Sequence, residues 1–176
     1  LDVRLHLLGL LDERNARDGV RIAVEELQHT EAPAALADRV MQAVGRLKER
    51  HGALVQIEPR LSNTAAKADT WLAPKPGTES TLALAMAHVI ISQERYNKDV
   101  IGEYTEGFDA FARMVKEKYS PQSVAETTGI PADVIIQTAL CFAAAKYPLA
   151  LCGRGNGQAP GSLKEVLAVQ ALNALV

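Results

Sequence analysis

Apolar residues recur along this chain at helical spacing in some stretches and as short continuous runs in others. Between Ala34 and Arg50, Leu36, Val40, Ala43, Val44 and Leu47 fall three and four residues apart, which predicts an amphipathic helix. Gly52 is expected to close that helix. Ala53, Leu54, Val55 and Ile57 then form a short apolar run with β-branched members, the pattern of a buried strand. Pro59 lacks the N–H that a continuing central strand would use, so the strand ends on Glu58-Pro59-Arg60. A second helix is predicted over residues 79–93, where Leu82, Leu84, Ala85, Ala87, Val89 and Ile90 recur behind Pro76-Gly77-Thr78-Glu79.

Further along, Phe108, Phe111, Ala112, Val115 and Tyr119 share one face of a helix expected from Thr105 to Lys118. Ser120-Pro121 opens a short helix over 121–127, since a proline in the first turn needs no N–H partner. Gly129-Ile130-Pro131 opens another from Ala132 to Ala145, with Val134, Ile135, Ala139, Phe142 and Ala143 inward. Pro148 breaks it, Leu149 to Cys152 read as a second buried strand, and a final helix starts near Ser162. The N-terminal region is less regular: Leu1 to Leu11 reads as a strand, and residues 16–29, with Val20, Ile22, Ala23, Val24 and Leu27 among charges, read as a helix. Helix and strand alternate in the manner of βαβ units, so the fold expected for residues 1–176 is one α/β domain: three Rossmann-like layers, a mostly parallel sheet flanked by helices.

With 48% apolar and 23% charged residues, the 176-residue chain can bury the core of a single domain. A net charge of -2 and the lack of a basic cluster interleaved with aromatics argue against nucleic acid as a partner. No apolar run reaches the roughly 20 residues of a spanning helix, so direct membrane insertion is not expected. Cys141 and Cys152 fall in a predicted helix and a predicted strand and read as small buried hydrophobes; two cysteines cannot complete a four-ligand zinc or iron–sulfur site. The chain stops at Val176 inside an apolar helical pattern without a cap, which reads as an excised piece of a larger protein.

Candidate chemistry concentrates where strands give way to turns, the place a nucleotide occupies in an open α/β sheet. The first strand ends on an acid, a rigid turn and a cation (Glu58, Pro59, Arg60), and the following helix opens on Thr78 and Glu79. Asp69 and Trp71 lie in the crossover between them, where an acid beside an aromatic bonds local backbone N–H groups. Past the last strand, Gly153-Arg154-Gly155-Asn156-Gly157 alternates glycines that admit close backbone approach with an arginine that suits a phosphate. The same loop also suits packing against a neighbouring domain. His88, on the apolar helix, reads as a buried, hydrogen-bonded histidine. No Ser/His/Asp set or close carboxylate pair can be argued from spacing, so the chain is not expected to catalyse alone.

The ordered set Glu58-Pro59-Arg60, Asn63-Thr64-Ala65-Ala66, Ala68-Asp69, Pro76-Gly77-Thr78-Glu79 and Leu82–Ile91 resembles an internal domain of the molybdopterin oxidoreductase large subunits. That family includes dimethyl sulfoxide reductases, formate dehydrogenases and periplasmic nitrate reductases. The likeness continues through Tyr104-Thr105-Glu106-Gly107-Phe108, Tyr119-Ser120-Pro121, Thr128-Gly129-Ile130-Pro131 and Leu149–Gly161, covering roughly residues 40–176. It implies a binding surface for one guanosine end of a bis(molybdopterin guanine dinucleotide) cofactor, formed by Glu58, Arg60, Thr78, Glu79, Gly153, Arg154 and Gly155. Where the family carries two aspartates, this chain has Glu58 and Glu79, each one methylene longer.

The resemblance further implies that molybdenum or tungsten, and any iron–sulfur cluster, are held by segments not present here. The implied partners are the remaining domains of the same subunit and iron–sulfur or membrane electron-transfer subunits. Substrate and compartment are not encoded in these residues. A cofactor-free relative, acting as a scaffold domain in a respiratory electron-transfer complex, is the alternative reading, and a free-standing nucleotide-binding module a third.

Overall fold

The computed structural model describes residues 20–24, 34–152 and 162–176. Four strands, β1 (Val20–Val24), β2 (Ala53–Ile57), β3 (Thr70–Leu72) and β4 (Leu149–Cys152), form a sheet of order β3-β2-β1-β4 in which every pairing is parallel. The helices are α1 (Ala34–Glu49), α2 (Glu79–Ser92), α3 (Lys98–Tyr104), α4 (Phe108–Lys118), α5 (Pro121–Thr128), α6 (Ala132–Ala144) and α7 (Ser162–Leu175). The expected α/β architecture with a parallel sheet flanked by helices is what the chain adopts.

The two faces of β2 bury against different layers. Leu54 packs with Val44 and Leu47 of α1, while Val55 and Ile57 join Leu72, Ala150 and the core residues of α2 and α7 on the other side. Side chains alternate across a strand, so this division is the three-layer arrangement read from a single element. Helix α2 lies in the middle of the thicker layer. It buries residues around its whole circumference, among them Leu82, Ala85, Met86, Val89 and Ile90, and packs against α4, α5, α6 and α7. His88 is half-buried on this helix, with Nδ1 3.0 Å from the Val115 carbonyl oxygen of α4.

Several boundaries depart from the sequence expectation. Val20–Val24, expected inside a helix, is strand β1, paired along its length with β2 on one side and β4 on the other. A β-branched run gains more from two parallel neighbours than from its local charge alternation. The helix expected from Thr105 to Lys118 is α4, which begins only after Gly107 at φ 79°, and it is preceded by α3, a short helix the sequence reading did not anticipate, which Asn97 caps by accepting from the N–H groups of Asp99 and Val100.

The C-terminus of α1 also differs. His51, not Gly52, takes the left-handed position at φ 56°; its N–H bonds the Lys48 carbonyl at 3.0 Å and the Gly52 N–H bonds the Leu47 carbonyl at 2.9 Å, the paired bonds of a Schellman motif. Cys141, expected inside, is exposed on α6, and Cys152 is half-buried. Ile135, Ala139 and Phe142 occupy the inward face of α6, which leaves Cys141 on the outer one. Among the described residues no single helix is long and apolar enough to cross a membrane. The strand expected over Leu1–Leu11 lies outside the described residues.

Candidate functional site

β2 delivers Glu58 just past its carboxyl end, where the strand pairing persists through a 3.1 Å bond from the Glu58 N–H to the Leu72 carbonyl. Alternation puts Leu54, Gln56 and Glu58 on the same face of β2. The Glu58 side chain is only 2% exposed, and its Oε1 accepts from the Ser62 N–H at 3.2 Å and, at shorter range, from the Ser62 hydroxyl. That hydroxyl in turn accepts from the N–H groups of Thr64 (3.2 Å) and Ala65 (3.1 Å), so it caps the 3-10 turn Ala65–Lys67. The Trp71 indole N–H closes the same turn on the Glu58 carbonyl at 3.0 Å. One carboxylate oxygen therefore belongs to the turn's own scaffolding. Pro59 is half-buried and Arg60 exposed beside it.

Asp69 and Trp71 do shape the crossover, but across the fold as well as locally. The Asp69 carboxylate accepts from the Leu54 N–H at 2.8 Å, its own N–H returns a 2.9 Å bond to the Leu54 carbonyl, and Lys48 lies 3.3 Å from it. Thr70–Leu72 continues this contact as β3, a strand too short to have been legible from its pattern.

From Leu72 the chain runs to α2 through a turn anchored on a different layer. The Lys75 N–H donates to the Thr128 carbonyl at 2.8 Å, and its ammonium reaches the Glu126 carbonyl at 3.1 Å, both at the C-terminal end of α5. Pro76 followed by Gly77 at φ 81° fits a type II turn over Lys75–Thr78. The Thr78 N–H (3.1 Å) and hydroxyl (2.6 Å) both bond the Lys75 carbonyl. Thr78 is thus engaged in closing the turn and makes no side-chain cap for α2.

Glu79 follows in the first turn of α2, 5% exposed. Its negative charge suits the positive end of the helix. Among the described residues no hydrogen bond or ion pair reaches its carboxylate. Glu58 and Glu79 therefore stand past the carboxyl ends of neighbouring strands, one partly engaged and the other open. Gly153, Arg154 and Gly155 lie outside the described residues.

Sequence reading passed over Gln56. It is 1% exposed, two residues before Glu58 on the same face, and its Oε1 has no hydrogen-bond partner among the described residues. The signal available was a lone amide within an apolar strand run. Among the described residues no group of three His, Cys, Asp or Glu could hold a metal ion.

No family model matches the chain. Individual relatives do. It is 35% identical over 71% of its length to the molybdopterin-containing subunit of arsenate respiratory reductase from Chrysiogenes arsenatis, and covers 17% of that subunit. It is 39% identical over 72% of its length to the molybdopterin-binding-like subunit of menaquinone reductase from Nitratidesulfovibrio vulgaris, covering 18%. Acetylene hydratase from Pelobacter acetylenicus superposes with a TM-score of 0.78 at 25% identity, over 89% of this chain and 21% of that one.

The chain belongs to the molybdopterin oxidoreductases. It spans less than a fifth of the length of the curated relatives described, 17% and 18%.

Proposed function

We propose that this chain is the domain of a molybdenum or tungsten oxidoreductase subunit that holds one guanosine end of a molybdopterin guanine dinucleotide, in an assembly that passes electrons to other domains and subunits. The observation that carries this reading is Glu79: an acid 5% exposed at the head of α2, with no donor supplied to it by the described residues. An acid this enclosed that takes no donor from the described residues leaves its carboxylate oxygens to solvent or to a ligand. Guanosine presents paired donors at two places, the N1–H and N2 amino group of the base and the ribose diol, and either pair matches the two oxygens of a carboxylate. The residues present fit such a group.

In this reading Glu79 accepts from the nucleoside, the second oxygen of Glu58 accepts at the neighbouring strand end, and Arg60 neutralises phosphate charge. Thr78 contributes through the turn its hydroxyl closes, and Gly153, Arg154 and Gly155 complete the phosphate side. The bound group would supply the redox chemistry at its metal, and the domain orients it.

A scaffold reading has its own support. The Glu58 carboxylate already serves Ser62, and one relative carries the name molybdopterin-binding-like. Metal and pterin content of the intact subunit separates the two. Molybdenum or tungsten together with guanosine monophosphate released by acid supports the cofactor reading; a folded subunit with neither leaves the scaffold.

A further inference from the structure

Lys75 uses every polar group it has on one task. Its N–H and ammonium fasten to the carbonyls of Thr128 and Glu126 at the end of α5, and its carbonyl receives both the N–H and the hydroxyl of Thr78. The stem of the side chain runs past Gly129, with Cε 3.7 Å from where a β-carbon at that position would stand. A cation at a helix C-terminus is favoured by the exposed carbonyls there, so the pairing with α5 is a directed contact between distant parts of the chain. Four residues after Lys75 stands Glu79, the buried acid with no partner among the described residues.

We propose that Lys75 is a positioning residue for Glu79: by clamping the Lys75–Thr78 turn to α5, it fixes where the first turn of α2 begins and so where the Glu79 carboxylate meets its ligand. The inference rests on the reading of Glu79 as a nucleoside-binding acid. Lys75 itself is exposed and needs no contact with the ligand. Glu126 enters only through its backbone carbonyl, so its side chain should be dispensable.

The test is calorimetric titration of the intact, cofactor-free subunit with guanosine diphosphate, for the unsubstituted protein, Lys75→Met, Lys75→Arg, Glu126→Ala, Glu79→Ala and the Lys75→Met/Glu79→Ala double variant. Lys75→Met should bind roughly fivefold to tenfold more weakly, the size of a coupling between interacting residues. Lys75→Arg should recover most of the loss, Glu126→Ala should bind like the unsubstituted protein, and the Lys75→Met effect should vanish once Glu79 is already alanine. A merely structural lysine would lower the unfolding temperature but keep its binding effect in the Glu79→Ala background. Undiminished binding by Lys75→Met, or a penalty that persists without Glu79, overturns the role of Lys75 alone. Failure of the unsubstituted subunit to bind removes the nucleoside site and Lys75's role with it.

Discussion

Asn173 of α7 holds Ala150 of β4 by both groups of its amide: Oδ1 accepts from the Ala150 N–H at 2.7 Å, and Nδ2 donates to the Ala150 carbonyl at 2.8 Å. Among the described residues β4 is an edge of the sheet, and these backbone groups of Ala150 meet no further strand there. The amide of Asn173 thus meets both backbone groups of Ala150 as a neighbouring strand would. Asn173→Leu should cost about 2–3 kcal/mol, since it strands one donor and one acceptor. Chemical denaturation reads this directly, and a loss within error of zero would show that water replaces the amide without penalty.

Glu58 has a structural duty and a proposed binding duty that two substitutions pull apart. Glu58→Gln keeps an acceptor for Ser62 and should leave the unfolding temperature nearly unchanged while weakening guanosine diphosphate binding. Ser62→Ala removes the hydroxyl shared by Glu58, Thr64 and Ala65 and should destabilise by about 1–3 kcal/mol. Equal thermal losses in both would contradict this division.

Gln56 offers a gain. Its buried Oε1 has no partner among the described residues, so Gln56→Met, similar in size and apolar, should stabilise the fold by up to about 1 kcal/mol. A destabilised variant would mean that the amide is satisfied by an internal water.

His51 and Glu94 both sit at left-handed positions, φ 56° and φ 50°, that end α1 and α2. Glycine carries no Cβ penalty there, so His51→Gly should stabilise by about 0.5–1 kcal/mol. Glu94→Gly should gain less, because it also removes the 2.7 Å contact with Lys98. A fall in melting temperature for His51→Gly would show that the imidazole makes a contribution of its own.

The Glu94–Lys98 pair also makes a pH prediction. The hydrogen bond and charge of Lys98 hold the Glu94 carboxyl below its ordinary value of 4.5, and Glu94 raises the Lys98 ammonium in return. The carboxylate's contribution is therefore present above 4.5 and lost as the pH falls through the depressed value. Both groups are fully exposed, so its effect on stability is slight. NMR titration should find the Glu94 midpoint below 4.5 and returning toward it in Lys98→Ala; an unmoved midpoint would rule out the contact in solution.

Strong periodicity was readable because it needs only the chain's own neighbours. β2 and β4 fell where their apolar runs and flanking prolines put them, and the starts of α1, α2, α5 and α6 followed their turn residues. Elements that exist through distant contacts were not. β1 needs strands on both sides, and β3 takes its place from the bonds that Asp69 and Trp71 make to β2. The candidate acids were visible as residue types at strand ends, while the difference between an engaged Glu58 and an open Glu79 depends on where Ser62 points. Lys75 carried no signal, since a lysine before Pro-Gly reads as an ordinary surface charge until α5 is seen beneath it.

The order of the strands has a bearing on how the chain comes to be folded. β1 is one of the two inner strands of the sheet, and although β2 reaches it after one helix, Ile22 must wait for Ala150 to arrive from the far end of the helical layer. During synthesis the first half of the sheet and the packed helices can form while β1 still has one side open. Closure then depends on a contact of very high sequence separation, the kind that slows folding and leaves an unpaired strand exposed meanwhile. The ribosome and its chaperones, more than any ligand, would be the first to meet that open edge.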